Sequence, residues 1–276
     1  MADTVRDWIG RSETLHDSLR LQPAHFMQAT LDQDPTLELG DPLPPLWHWL
    51  YFLEAKPLRE LGRDGHPKKG GFLPPVDLPR RMRAGGRFDF SAPLRIGAKV
   101  TKRATIKDIV EKDGRSGKLC FVTVLDEYFV GEELAISEEE DIVYREDPAP
   151  DTPKPPPTPA PGDAEVSEIV TPKEIMLYRY SALTFNGHRI HYDVDYARDV
   201  EGYAGLVFHG PLTATLLADL AWRTFGKDLK TLRYRGVAPI SGMTPFRIEG
   251  RREGDGMQLW AKLQDGSLAL KADAGF

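Results

Sequence analysis

Alternating apolar and polar residues mark eight segments of the chain, and such alternation predicts β-strands with one buried face. Four of these segments lie in the first half, at residues 87–96, 99–113, 118–130 and 133–146. The other four close the second half, at residues 229–240, 244–253, 257–264 and 268–276. Because glycine-containing turns join neighbouring segments, the pattern indicates two sets of mostly antiparallel strands.

A helical pattern precedes each set of strands. In the first half we predict helices at residues 4–19 and 23–31, followed by a strongly apolar, buried segment at 46–53 that could be a short strand. In the second half we predict a helix at residues 171–183. A further helix at residues 211–225 is apolar on nearly every side, so it should be buried rather than lie on a surface.

A proline-rich segment, EDPAPDTPKPPPTPAPGDAE, separates the two sets of elements. Its prolines remove backbone donors and favour an extended polyproline conformation. We therefore expect an N-terminal unit at residues 1–147, a linker at 148–164 and a C-terminal unit at 165–276. Both units run from helix to strands, and a mostly antiparallel sheet wrapped around one apolar helix is the hot dog fold. The expected architecture is α+β, a double hot dog.

Composition and charge exclude several classes of protein. The 276 residues are 41% hydrophobic and 28% charged, as is typical of a globular protein. The net charge of −6 argues against binding to nucleic acid or an anionic membrane, and no segment approaches the roughly 20 apolar residues that span a bilayer. The single cysteine, Cys120, should be buried, and the first residues do not resemble a signal peptide. We expect a cytoplasmic protein.

The segment LTFNGHRIHYD (183–193) crowds polar groups between apolar segments, and it permits three interpretations. One is a polar turn, because Asn-Gly is a strong turn dipeptide. Another is a metal site formed by His188, His191, Asp193 and the distant His209, although a loop start at His188 argues against it. The third is a catalytic loop, in which His191 faces a group that stabilises negative charge.

Such a group is expected at the amino end of the apolar helix. The segment GYAGLVFHGPL leads into this end, where backbone N–H groups lack acceptors and point outward. Gly210 leaves room for a ligand, and the free N–H groups would stabilise a thioester oxygen that becomes an enolate. A base at His191 opposite this end would suit proton abstraction or water addition next to a carbonyl.

SALTFNGHRIHYD followed by GLVFHGPLTATLL resembles the MaoC-like family of (R)-specific enoyl-CoA hydratases and dehydratases. The similarity is greatest to the branch of mesaconyl-C4-CoA hydratases, itaconyl-CoA hydratases and 3-hydroxyacyl-thioester dehydratases. LPRRMRAGGRFDF resembles the N-terminal unit of that branch, so the resemblance covers most of the chain outside the linker. It implies a hydro-lyase that acts on an acyl-CoA thioester without a metal or a further cofactor.

The resemblance also implies roles for individual residues. His191 would be the general base in hydration and the general acid in dehydration, Asn186 would position the water, and the Gly210 N–H would bind the thioester oxygen. The family carries an ionisable Asp where this chain has Asn186, which puts a two-residue acid–base scheme in doubt. The first unit has no counterpart of this loop, so we expect it to be non-catalytic and to shape the acyl tunnel.

An acidic chain needs local cations to hold the phosphates of CoA. Arg233 and Arg235 alternate with other residues, so both are expected on one strand face near the active-site helix, and His188 is a further candidate contact. Arg81 and Arg83 belong to a basic run in a loop that could close over a substrate carboxylate. For both sets, a solvated charged surface is the alternative.

The sequence leaves several functions open. The expected substrate is a branched C4 or C5 dicarboxylic acyl-CoA such as mesaconyl-C4-CoA or itaconyl-CoA. The alternatives are a straight-chain (R)-3-hydroxyacyl-thioester dehydratase and a non-catalytic acyl-CoA-binding protein. A thioesterase would need a carboxylate on the central helix, where Asp219 is the only acid. A homodimer is compatible with the pattern, as is a self-sufficient monomer.

Overall fold

The computed structural model of the chain describes residues 4–114, 117–147 and 156–276. The strands within these residues are β1 (Ser12–Ser18), β2 (Arg80–Phe90), β3 (Lys99–Gly114), β4 (Gly117–Val130), β5 (Glu133–Arg145), β6 (Val166–Val170), β7 (Thr231–Gly236), β8 (Phe246–Glu253), β9 (Gly256–Lys262) and β10 (Leu268–Gly275). The α-helices are α1 (Leu21–Thr30), α2 (Glu174–Leu183) and α3 (Gly210–Phe225). Shorter helical turns occupy Val5–Trp8, Trp47–Leu50, Leu58–Glu60, Arg189–His191 and Tyr196–Val200.

One antiparallel sheet contains all of these strands, in the order β1-β3-β4-β5-β2-β7-β10-β9-β8-β6. Strands from the first half of the chain and strands from the second half meet where β2 pairs with β7. At this junction a Cβ at Gly85 would lie 2.5 Å from the Tyr234 carbonyl oxygen, and a Cβ at Gly86 would lie 2.7 Å from the Tyr234 ring. Because glycine alone permits so close an approach, the Gly-Gly pair keeps the sheet continuous.

The apolar helix α3 lies against the second half of the sheet, as its composition predicts. Leu212, Leu217, Ala218 and Ala221 are fully buried and pack in the main core with residues of β7 to β10. Each buried leucine contributes about 2 kcal/mol relative to exposure. Gly226 ends the helix with φ at 65°, a left-handed conformation that glycine adopts without a steric penalty. The position of the helix is therefore fixed along its whole length.

The first half confirms some of the sequence predictions and contradicts others. The apolar segment 46–53 is largely buried around the turn Trp47–Leu50, and Cys120 is buried in β4. The prediction of one helix over residues 4–19 is wrong, because only Val5–Trp8 forms a short helical turn and Ser12–Ser18 forms the edge strand β1. Pairing with β3 satisfies the backbone groups of β1 and outweighs local helix propensity.

The basic run around Arg81 and Arg83 lies on strand β2, so its assignment to a mobile loop is wrong. The strand predicted at 87–96 correspondingly begins earlier and ends at Phe90. The sequence pattern also does not predict β6, which pairs with β8. Both errors arise where pairing with a distant strand, rather than local alternation, decides the conformation.

The expected linker lies partly outside the described residues, since positions 148–155 are not among them. The unit boundaries and their division of labour therefore stay predictions. None of the described helices is long and apolar enough to cross a bilayer. The cytoplasmic location and the homodimer also stay predictions.

Candidate active site

His191 lies on the short helical turn Arg189–His191, with its ring buried between the loop and helix α3. Its Nδ1 donates a hydrogen bond to the Val207 carbonyl at 2.8 Å. The ring stacks on that of His209, with the two centroids 3.6 Å apart and the planes 18° from parallel. Because His209 directly precedes Gly210, the imidazole of His191 lies beside the amino end of α3 and not across the sheet from it.

The protonation of His191 follows from these contacts. With the proton on Nδ1 donated to Val207, Nε2 keeps its lone pair and can accept a proton. Burial lowers the pKa of His191 from 6.5 to about 4, although the hydrogen bond to Val207 opposes this change. The ring is therefore neutral at pH 7, which is the state that a general base requires.

Helix α3 presents an open amino end next to this ring. Its N-cap, His209, has an extended backbone and makes no side-chain capping bond, and its carbonyl accepts from Thr213. Gly210 is exposed, and no atom lies within 4 Å of the position that a Cβ would take. Within the described residues no acceptor takes the Gly210 N–H. This N–H is available to a ligand, in a setting that favours negative charge.

Helix α2 contacts the His209 ring of this stacked pair. Ser181 Oγ lies 2.9 Å from His209 Nε2, and the Tyr180 ring packs edge-on against His209 with the centroids 4.9 Å apart. His209 is completely buried. Burial, followed by the neighbouring His191, lowers the pKa of His209 well below its ordinary value. The ring of His209 is therefore a neutral platform for His191.

Asn186 forms the polar turn that the Asn-Gly dipeptide predicts. Its side-chain oxygen accepts a hydrogen bond from the His188 N–H at 3.0 Å, and its own N–H donates to the Ser181 carbonyl at 2.8 Å. The side-chain oxygen is thus engaged in the turn, while the amide NH2 remains available as a donor. A polar turn at Asn186 is compatible with the catalytic interpretation, because the His191 ring on the same loop still stacks beside the amino end of α3.

The metal site considered from the sequence is not assembled. The Asp193 carboxylate accepts hydrogen bonds from the Arg189 guanidinium and from the Tyr196 N–H. His191 and His209 each use one ring nitrogen in a hydrogen bond within the protein. The hydrogen-bond partners of Asp193, His191 and His209 all lie outside this set, so these side chains do not point toward a common centre.

The loop at residues 62–67, from the first half of the chain, adds groups that the sequence did not indicate. His66 Nδ1 lies 3.0 Å from the Asp64 carboxylate, and the His66 ring packs on His188 with the centroids 4.2 Å apart. His188 in turn meets His191 edge-on at 5.4 Å. The Asp64-Gly65-His66 turn is a recognisable local signal, but its partner is more than 120 residues away in the chain.

Arg83 reaches the inner side of the sheet from strand β2. Its guanidinium lies 2.6 Å from the Glu140 carboxylate and 5.3 Å from the centre of the Trp49 ring. The side chain keeps 40% of its surface accessible, close to Tyr180 and Tyr234. Burial raises the pKa of Glu140 to about 7, although Arg83 opposes this change. Arg83 therefore has a partner that can be neutralised near physiological pH.

Arg81, on the same strand, lies closer to the histidine loop. Its guanidinium donates to the Pro67 carbonyl at 3.4 Å, and its charge opposes protonation of both His66 and His188. Arg81 is therefore a cation at the edge of the site.

Arg233 and Arg235 lie on the opposite face of the sheet from α3. Both are exposed, while the residues that alternate with them, Leu232 and Tyr234, are buried in the core beside the helix. The two arginines do share one strand face, as the sequence predicts, but the expectation that this face adjoins the active-site helix is wrong. Side chains alternate strictly along β7, so Arg233 and Arg235 lie on the side of the sheet opposite Leu232 and Tyr234. Their contact with CoA stays a prediction.

Asp219, the acid of the central helix, is also distant from the loop. It accepts a hydrogen bond from Arg223 at 2.8 Å, one turn further along α3. Arg223 also binds Glu168, which is on β6. Asp219 therefore belongs to an ion-pair group between α3 and the last strand of the sheet, more than two helical turns from Gly210.

Comparison with known proteins identifies the family of the chain. The family model described as hydroxyacyl-thioester dehydratase type 2 matches residues 46–242. A mesaconyl-C(4)-CoA hydratase of Chloroflexus aurantiacus is 47% identical over 96% of this chain and 95% of its own length. A mitochondrial hydroxyacyl-thioester dehydratase type 2 of Schizosaccharomyces pombe is 38% identical over 30% of this chain and 28% of its own length.

Solved structures show the same fold at low sequence identity. A MaoC-like dehydratase from Phytophthora capsici superposes with a TM-score of 0.71, at 14% identity over 98% of both chains. A Mycobacterium tuberculosis protein described as having a double hotdog fold superposes with a TM-score of 0.60, at 12% identity over 96% of this chain and 95% of the other. The double hot dog architecture predicted from the sequence is confirmed.

Proposed function

The chain belongs to the hydroxyacyl-thioester dehydratase type 2 family, and from this premise we propose that it hydrates a branched dicarboxylic acyl-CoA such as mesaconyl-C4-CoA. It is a hydro-lyase, which adds water across, or removes it from, the C2–C3 bond of an acyl thioester. The identity of 47% to a mesaconyl-C(4)-CoA hydratase, over nearly the whole of both chains, supports a substrate that carries a free carboxylate.

His191 is the general base in this proposal. Its Nε2 takes a proton from water as the water oxygen attacks C3 of the acyl group. The hydrogen bond to Val207 holds the ring in the tautomer that leaves Nε2 free, and burial keeps the ring neutral. Such general-base catalysis typically contributes about 10²- to 10⁴-fold in rate.

The amino end of α3 stabilises the charge that develops during this attack. As the new C–O bond forms, negative charge moves onto the thioester oxygen, and the Gly210 N–H is its proposed donor. One such donor typically contributes about 3 kcal/mol to transition-state stabilisation. The amide NH2 of Asn186 positions the reacting water, since the side-chain oxygen is occupied by His188.

Arg83 is the proposed partner of the free carboxylate of the substrate. The guanidinium can form paired hydrogen bonds with a carboxylate, and its accessible surface supports contact with a ligand. Glu140 has a pKa of about 7, so it can take up a proton when a second carboxylate arrives. The first half of the chain would thus shape the acyl-binding space, while the second half carries the loop and helix.

A single observation carries this proposal: the neutral ring of His191 stacks on the residue that precedes the open end of α3. A protein that only binds acyl-CoA would not need a base at this point. A thioesterase based on Asp219 has no support, because that carboxylate is paired with Arg223. The second candidate is a straight-chain hydroxyacyl-thioester dehydratase, which the similarity to the Schizosaccharomyces pombe relative favours.

The test is a hydration assay that follows the absorbance of the conjugated thioester. Mesaconyl-C4-CoA should be hydrated faster than crotonyl-CoA, and His191→Gln should abolish turnover while His16→Gln does not. His16 is a matched control, because it lies on the edge strand β1 and contacts Thr101. Turnover by His191→Gln at the wild-type rate would refute the base, and a preference for crotonyl-CoA would favour the second candidate.

A further inference from the structure

Four imidazole rings form a continuous row beside the open end of α3. His66 packs on His188 at 4.2 Å, His188 meets His191 at 5.4 Å, and His191 stacks on His209 at 3.6 Å. The proposed function uses the ring of His191 as a base and that of His209 as its support. The other two rings have no assigned part in the reaction, although hydration needs a second proton transfer, to C2.

His66 differs from the other three rings because it has a carboxylate partner. Its Nδ1 and its backbone N–H both lie 3.0 Å from oxygens of Asp64. Within the described part of the chain, the hydrogen-bond partners of His191 and His209 are a carbonyl and a hydroxyl. A carboxylate stabilises an imidazolium far better than a carbonyl does, so His66 is the ring of this row best able to hold a proton.

Two interlocked loops hold His66 in this position. A Cβ at Gly65, whose φ is 88°, would lie only 1.9 Å from the Gly187 carbonyl oxygen. The Arg189 N–H donates to the Asp64 carbonyl at 2.9 Å. This hydrogen bond and the close packing at Gly65 hold the loop of the first half against the loop that carries His188, so the contact between His66 and His188 is part of the fold.

We propose that Asp64 and His66 hold the second proton of the hydration, and that His188 passes it to C2 of the substrate. His188 is the group that touches the substrate, whereas Asp64 and His66 act through it as positioning residues. This inference rests on the proposed hydratase activity, and it gives the first half of the chain a part in proton transfer.

The transfers balance over one cycle. Water gives its proton to His191 Nε2 and its oxygen to C3. His188 gives one nitrogen-bound proton to C2 while its other nitrogen takes a proton from His66, so His188 is neutral before and after the step. His191 then releases its proton to solvent, and His66 takes one up. The product has gained the elements of one water molecule.

The pKa of His66 remains below its ordinary value of 6.5, so this ring holds a proton only in mildly acidic solution. Burial lowers the pKa of His66, but the hydrogen bond to Asp64 opposes the change. Burial lowers the pKa of His191 to about 4 and that of His188 to about 2. Burial also disfavours the charged form of Asp64, yet the bonds from His66 outweigh it and hold the pKa of that carboxyl below its usual range. The ionisable groups that face His66 and His188 include Asp64, Arg81, Arg83, His191 and His209.

A first experiment measures proton occupancy without activity, by NMR titration of the histidine side chains in the full-length, nitrogen-15-labelled protein. His66 should carry its neutral-form proton on Nδ1 and should titrate at a higher pH than His188, His191 and His209. Asp64→Asn should lower the pKa of His66, while His16→Gln should leave it unchanged. A His66 that titrates below His191 would overturn the proposal, whatever the enzyme turns over.

Kinetics supply the second experiment. In His66→Gln, kcat should fall about 100-fold, with a change in KM of less than about threefold. Because His66 must be protonated, activity should be lost as the pH rises through its pKa, and Asp64→Asn should shift that basic limb to lower pH. An unchanged kcat in His66→Gln, or a loss confined to KM, would contradict the relay. If the wild-type protein hydrates no enoyl-CoA ester, the proposed function fails, and the titration still decides where the proton is held.

Discussion

Lowering the pH from 7 to 4 is expected to destabilise the folded chain through His191. In the unfolded chain this imidazole titrates near its ordinary pKa of 6.5, whereas burial holds the folded pKa at about 4. Between these values the unfolded state binds the extra proton, so stability falls as the pH falls. At about 1.4 kcal/mol per pKa unit, the contribution amounts to roughly 3 kcal/mol. It is fully present above pH 7 and is lost by about pH 4.

Urea unfolding at several pH values, for the wild type and for His191→Gln, isolates this contribution. Glutamine does not titrate, and its amide can still donate to the Val207 carbonyl. The wild type should therefore lose roughly 3 kcal/mol more than the variant across this pH range. The neighbouring rings of His188 and His209 are present in both proteins, so most of their own pH dependence cancels in the difference.

Equal pH dependence in the two proteins would refute the reasoning, because it would mean that His191 binds a proton equally well folded and unfolded. Activity offers an independent check on the same group. A general base works only when unprotonated, so kcat/KM should fall as the pH drops through a value near 4. If kcat/KM instead falls near pH 6.5, the His191 ring is not desolvated in the free enzyme.

Three substitutions test other parts of the site. Arg83→Leu should raise KM for mesaconyl-C4-CoA about 10- to 100-fold and change KM for crotonyl-CoA little, in the same spectrophotometric assay. Gly65→Ala should lower both stability, by more than about 1 kcal/mol in urea unfolding, and kcat, because a methyl group would collide with Gly187. Asn186→Ala should lower kcat more than it raises KM in steady-state kinetics, because the amide acts on the reacting water.

Local sequence patterns predicted much of the fold. Helix α3 was recognised from its apolar surface and Gly226, and strands β3 to β5 from long alternating runs, because burial against one core imposes these periods directly. Strand β1 was mistaken for a helix, since an exposed edge strand has no buried face to enforce alternation. The face of Arg233 was misjudged for a related reason: alternation gives two faces but does not say which one the helix covers.

The residues of the candidate site also fall into two groups, those that local motifs predict and those whose position depends on distant packing. Asn186, His191 and Gly210 were proposed from the sequence because each belongs to a short motif whose chemistry is local. Asp64 and His66 were not, because their contact with the loop that carries His188 depends on how the two halves of the chain pack together. The sequence indicated Arg83 only as part of a basic run. Its position beside Trp49 follows from the pairing of β2, which the sequence pattern does not show.

In the proposed reaction, the hydrogen-bond partners of the histidines decide which ring serves as the base and which ring holds the second proton. A backbone carbonyl accepts the Nδ1 proton of His191 but adds no negative charge, so desolvation dominates and the ring stays neutral. The carboxylate of Asp64 brings a full negative charge to His66 and opposes the same desolvation. Environments that push two pKa values apart allow opposite roles at one pH. Exchanging the partner, as Asp64→Asn does, should therefore move His66 toward the behaviour of His191 without moving the ring.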